Sequence, residues 1–467
     1  MKKINENNFG WMAAGLAFLS SYAFFQFAYP YHLMRREQLD LFLYDTQYIS
    51  ETYGGIGWLS RFSGDFVDQF LYFPVLGPVL IALLLTGVGA VVYGICRQFM
   101  ARKFALPVAA LFFAWSFMRE TGTQYLTQYT VATLTYLLLI YAGLKVRKTW
   151  MKPIAVCIFL SAGIYCLDKP WHPQYGPLWS TPSVMIEKVM AIDVNVSRGN
   201  WKKTYKLSRE NLHNNEASYL SNLADAANGR LGDEIFSRTQ DYTNSLFLWV
   251  SDQVSQFTNG MAGEAWYNLG DMTLAEQSAI VALQFSPKHT GARYITRLAQ
   301  VTLINGEYGA AQKYLTMLSK TLTYRRWAIS MMPENHDRKT EKWLADARRN
   351  LAVGDIVYGI NDFRPVLKGL LEANPDNSLA RQYLLCYDLL LFELDDFMED
   401  YMEMPIEGRA YEEGALIWLS IRGQVDDAHT RQLGISEQSV RRLASFYQDP
   451  ERYRNTYWYY YMSEMQK

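Results

Sequence analysis

Apolar residues crowd into the first third of this chain. Five runs stand out there: Trp11 to Tyr29, Phe73 to Ile95, Phe104 to Met118, Tyr129 to Val146 and Pro153 to Leu167. A stretch of roughly 20 apolar residues matches the hydrocarbon thickness of a bilayer, so the first, second and fourth runs predict spanning helices. The third and fifth hold 15 residues each and cross only where the bilayer thins, or enter as re-entrant pieces. Beyond residue 183 the spacing becomes that of amphipathic helices with polar faces. The expected fold class is all-α. A bundle of about five transmembrane helices occupies 1–167, with spans near 11–29, 73–95, 104–118, 129–146 and 153–167. A linker follows over 168–182, and a soluble α-solenoid over 183–467.

Charge sets the expected orientation. Cytoplasmic loops carry the Lys/Arg excess, which puts Lys2 and Lys3, then Arg97, Arg102 and Lys103, then Lys145, Arg147, Lys148 and Lys152 on the inner side. The first run is too long for a signal-peptide core and ends in aromatics, so it reads as uncleaved. The alternation requires an odd number of crossings. It predicts a multi-pass bacterial inner-membrane protein, N-terminus cytoplasmic and C-terminal domain periplasmic.

The first outer loop, 30–72, mixes apolar and acidic residues in EQLDLFLYDTQYISETY, as an interfacial helix does. In a helical register Asp40, Tyr44 and Gln47 share one face. These acids solvate an interfacial loop or act on a substrate. With the segment FMRETGTQYLTQYTVATLTYLLLIYAG, the loop resembles polytopic glycosyltransferases that use lipid-linked donors. That resemblance implies that an outer-loop acid, Asp40 or Asp45, takes the proton of an acceptor hydroxyl as a general base or binds a metal, although those enzymes usually have more spans. Arg119 and Glu120, at the outer end of the third run, are membrane-interface candidates for headgroup binding.

The linker DKPWHPQYGPLWSTPS cannot continue a helix. Trp171 and Trp179 suit the headgroup level, and His172 reads as structural. Further on, Gly199, Gly229, Gly270 and Gly306 recur at spacings near the 34-residue tetratricopeptide period. Gly306, Tyr308, Ala311 and Leu315 match that repeat's turn and second helix. Trp266, Leu269, Ala275, Ala282 and Pro287 fit a degenerate preceding unit. Stacked hairpins leave a concave groove, so a protein or peptide partner is expected there by analogy.

The whole layout resembles a family of unknown function among bacterial polytopic membrane proteins with tetratricopeptide-like tails. SGDFVDQFLYFPVLG, GEYGAAQKYL and NTYW carry the resemblance. It implies an architecture and lends no activity.

Residues 1–167 hold 13 Lys and Arg against 8 Asp and Glu, and the remainder holds 32 against 38. An acidic tail lacks the basic patch that nucleic acid requires. The 4 cysteines show no CxxC or zinc spacing, and neither a phosphate-binding glycine loop nor a nucleophile elbow is present. No cofactor or metal is expected. The expected partners are the lipid bilayer, a protein or peptide, and a lipid-linked substrate under the enzyme reading. The first functional reading is a membrane-held helical-repeat domain for protein interaction or envelope assembly. The alternative is a membrane-embedded transferase using Asp40 or Asp45.

Overall fold

The computed structural model describes residues 6–210, 212, 214–251, 254–286, 288–352, 354 and 362–465. Lys2, Lys3 and Pro287 lie outside the described residues. Among those described, every regular element is a helix, and the β features are isolated bridges, Trp58 with Leu167 and His172 with Gly176. The chain forms two compact units: residues 1–190, 286–296 and 312–335 in the first, and 191–285, 297–311 and 336–467 in the second. Two segments from deep in the expected repeat domain therefore belong to the first unit.

In the first unit α1 (Glu6–Ala23) runs into a π turn over Phe24–Ala28. Pro30 then opens α2 (Pro30–Gln38), where its fixed φ and missing N–H suit a first helical turn. Next come α3 (Thr46–Thr52), α4 (Trp58–Asp68), α5 (Leu76–Cys96), α6 (Arg102–Glu120), α7 (Gln128–Leu144) and α8 (Lys152–Cys166). Gly10–Ala28, Leu76–Cys96 and Thr149–Cys166 are long and apolar enough to cross a membrane, and Gln128–Leu144 is a shorter apolar helix. Leu16, Phe27, Leu83 and Ile158 on these helices are exposed, as is Leu111 on α6. So large an apolar surface is consistent with a membrane protein.

The continuous interfacial helix expected across residues 37–53 is not formed. The chain leaves the helix after Gln38 and re-enters one at Thr46. The intervening backbone is bonded elsewhere within the unit: the Ala292 N–H donates to the Asp40 carbonyl at 3.0 Å, and the Tyr44 N–H to the Lys320 carbonyl at 2.8 Å. Asp40, Tyr44 and Gln47 consequently do not share a helical face. Beneath this region Phe25, Tyr29, Leu33, Leu71, Ile81 and Leu85 form one buried cluster. α4 lies tightly on α7, because Gly64 has no side chain: a Cβ there would meet the Gln128 backbone nitrogen at 2.6 Å.

The second unit is built of helix pairs, among them Gln256–Leu269 with Met272–Gln284, Arg364–Ala373 with Ser378–Leu391, and Arg409–Ile421 with Tyr457–Met465. Gly199, Gly229, Gly270 and Gly306 all adopt positive φ, the left-handed conformation that ends a helix at low steric cost. Trp266 stacks on Phe247 with ring centroids 4.1 Å apart, and Ala275 and Ala282 are buried. Contacts also join distant parts of the sequence. The Gln382 carboxamide accepts from the Leu231 N–H at 3.1 Å and donates to the Ala226 carbonyl at 3.1 Å. A one-dimensional stack makes only nearest-neighbour contacts, so these bonds tie the unit more closely than a simple solenoid would. At its end Tyr457 and Trp458 are fully buried, and the Trp458 indole donates to the Glu413 carbonyl at 3.0 Å.

Candidate functional site

Buried charge in the first unit concentrates where α2, α4, the α6–α7 connection and the 286–296 segment meet. α2 supplies His32 and Arg36, one turn apart on one face. Its first turn is held by Glu187, whose carboxylate accepts from the Tyr31 and His32 backbone N–H groups at 2.7 and 3.0 Å. An acid there satisfies open donors and opposes the helix dipole. Burial nevertheless pushes the Glu187 pKa up to about 8, against those two bonds.

Arg36 is the hub. It ion-pairs with the Glu120 carboxylate, with both side chains almost wholly buried. It also donates to the Glu120 carbonyl at 2.9 Å and to the Thr127 hydroxyl at 3.0 Å. Thr127 in turn donates to Asp68, and Thr130 donates to the second Glu120 oxygen at 2.6 Å. A fourth Arg36 contact, 3.0 Å, reaches His32 Nε2. A guanidinium only donates, so this contact needs neutral imidazole with its proton on Nδ1, whereas the Glu120 carbonyl, 3.2 Å from the same Nε2, is served by the other tautomer. Nδ1 itself has no hydrogen-bond partner among the described residues. Burial, then the Arg36 charge, holds the His32 pKa well below its ordinary value.

A second knot adjoins the first. Lys288 ion-pairs with Asp65 and lies 3.2 Å from Asp40 Oδ1. Tyr53 donates to the other Asp65 oxygen at 3.0 Å, while Asp40 Oδ2 is buried with no hydrogen-bond partner among the described residues. Burial opposes the Lys288 charge, but Asp40 and Asp65 outweigh it and raise its pKa. Asp65 and Asp68 are both pushed up to about 7, chiefly by burial; Asp40 adds to this, while Lys288 and Arg36 respectively work against it.

Two cavities of about 10 Å³ each flank Asp40, one lined also by Asp65, Gln69 and Tyr324, the other by Arg36, Tyr125 and Lys288. Each has room for about one water molecule, and neither holds a sugar. Among the described residues no group of three or more His, Cys, Asp or Glu is arranged to hold a metal ion.

Of the residues singled out in the sequence, Asp40 and Glu120 lie within this network. Asp45 does not: it caps α3 by accepting from the Tyr48 N–H at 3.0 Å and pairs with Lys320 at 2.6 Å. Arg119 is buried, donating to the carbonyls of Pro177 at 2.9 Å, Pro170 at 2.6 Å and Gly176 at 3.3 Å. It fastens the Pro-rich linker. There His172 Nδ1 accepts from the Tyr175 N–H at 3.1 Å, a structural role. Sequence reasoning missed His32, Arg36, Asp65, Asp68, Glu187 and Lys288. The i,i+4 spacing of His32 and Arg36 and the i,i+3 spacing of Asp65 and Asp68 were available signals. Nothing in the sequence pairs Lys288 with residues more than 200 positions earlier.

A sequence model of one protein family matches residues 7–168 and 163–464. The chain belongs to that family, DUF6057, a family of unknown function. No curated protein and no solved structure matches it. Membership in DUF6057 thus extends over both compact units and assigns no chemistry to the charge network.

Proposed function

We propose that this DUF6057 member is a multi-pass inner-membrane protein that presents its tetratricopeptide-like helical domain in the periplasm for protein interaction or envelope assembly. The observation that carries this reading is an apolar groove of about 200 Å³ in the second unit, lined by Ile417, Ile421, Phe446, Tyr447, Met462 and Met465. Ile421, Tyr447 and Met465 are 59%, 56% and 64% exposed, and an apolar patch with polar surroundings suits the buried anchor of a partner. The commitments of three candidate residues support it as well: Asp45 caps a helix and pairs with Lys320, Glu120 pairs with Arg36, and Arg119 bonds the carbonyls of the linker. The test has two parts. A reporter active only outside the cytoplasm, fused after Lys467, reads the side of the tail. A photo-crosslinking residue at position 421, compared with one at exposed Arg431 in living cells, reads the groove. A discrete protein adduct from 421 alone is expected. No adduct, or the same adducts from both positions, overturns the reading.

A second reading, a membrane-embedded transferase on a lipid-linked substrate, is favoured by one observation: the buried Asp40 Oδ2 has no hydrogen-bond partner among the described residues. A carboxylate oxygen so placed can take a proton from a hydroxyl brought to it. Asp40→Asn separates the two. At normal protein levels it leaves a scaffold able to complement a deletion strain, and it abolishes complementation by an enzyme.

A further inference from the structure

A larger cavity, about 600 Å³, opens between α1, α5 and α6 of the first unit, away from the charge network. Its walls include Ala14, Thr86 and Phe113, and at one end stand Arg97 and Arg102 beside Tyr93. Volumes of about 300–1,000 Å³ are those of small-molecule sites. Its length is equally informative. Thr86 on α5 and Arg97, which caps the end of that helix, are eleven positions apart, or about 16 Å along a helix, close to one leaflet of a hydrocarbon core about 30 Å thick. The apolar part therefore fits an acyl chain, and the end fits its headgroup. Arg97 is exposed and makes no ion pair among the described residues, while Arg102 is half-buried on the same rim. A guanidinium pair at the mouth of an apolar groove between membrane helices matches a lipid phosphate in charge and in hydrogen-bond geometry.

We propose that this groove is a specific site for one anionic glycerophospholipid, with its phosphate on Arg97 and Arg102 and an acyl chain along α1, α5 and α6. The site rests on the membrane reading of these helices, so retention of the full chain in alkali-washed membranes is measured first; loss there defeats the membrane reading itself. The full-length protein in mild detergent is then titrated with phosphatidylglycerol and with phosphatidylcholine of matched chains, and bound lipid is counted by native mass spectrometry. Phosphatidylglycerol is expected to bind about thirtyfold more tightly, from two basic contacts. Arg97→Gln with Arg102→Gln removes that preference, and Ala14→Phe, which fills the groove without touching charge, weakens both lipids. Glycerol 3-phosphate at millimolar concentration leaves the bound lipid in place. Equal binding of the two lipids, an unchanged preference in the double variant, or full displacement by glycerol 3-phosphate overturns the proposal; the last would mean a phosphate site without a lipid tail.

Discussion

Lys288 divides one ammonium between Asp65, which it contacts directly, and Asp40, 3.2 Å away. Removing one partner of a buried charge cluster leaves the others uncompensated, at a typical cost of about 3–5 kcal/mol. Lys288→Met is expected to lower stability by ~3 kcal/mol at pH 8. The loss shrinks at pH 5, where Asp65, its pKa raised to about 7 chiefly by burial, can protonate. Thermal unfolding of the purified protein at both pH values measures this, and an equal loss at the two would mean that the ion pairs contribute nothing.

Asp65 carries a pH signature of its own. Its folded pKa, about 7, lies above its ordinary 3.8, so between those values the folded state holds a proton that the unfolded state has released. Its contribution is fully present below about pH 4 and is lost as pH rises through 7. His32, with a lowered pKa, acts in the opposite direction below its ordinary value. The difference in stability between wild type and Asp65→Asn cancels the His32 contribution. It is expected to move against the wild type from pH 4 to 7 and to level off above. A flat difference would mean that Asp65 titrates as it does in water.

Much of the architecture was legible because it follows from local composition. The apolar runs coincide with α1, α5, α6, α7 and α8, and Gly199, Gly229, Gly270 and Gly306 mark helix ends because only a residue without Cβ enters positive φ cheaply. The charge network was not legible, since its bonds cross the chain. Asp40 was placed on a helix face because periodicity alone cannot see that Ala292 and Lys320 bond to residues 40 and 44 and hold that stretch out of a helix. Asp45 could have been read as a cap, standing just before a short helix as capping residues do. Arg119 was visible as a charge at a helix end, but its three carbonyl partners depend on how the linker folds.

Gly64 sets the spacing of α4 and α7 and so the position of Asp65 and Asp68. Gly64→Ala places a methyl 2.6 Å from the Gln128 nitrogen, against backbone that cannot rotate aside. A loss of about 1–3 kcal/mol is expected, the usual cost of overpacking. Gly199→Ala, at an open turn with φ +66°, serves as a control for backbone strain without the clash. Melting curves that fall equally would show that α4 and α7 yield easily.

Arg119→Lys keeps the charge but loses the planar fork that spans three carbonyls. The linker over 168–182 is then expected to become sensitive to limited proteolysis, while the helical content measured by circular dichroism stays unchanged. A linker as resistant as the wild type would show that its bond to Arg119 is dispensable.

The placement of residue 288 in the first unit also imposes an order on biogenesis. A ribosome adding about 5–20 residues per second needs roughly 6–24 s to pass from Leu167 to Lys288. Throughout that interval the membrane helices are already available for insertion, while Asp40 and Asp65 still lack their countercharge. A polypeptide stopped anywhere before that lysine is an unfinished protein, not a shorter one. A clean cut at residue 183 would therefore damage the membrane half along with the half it removes.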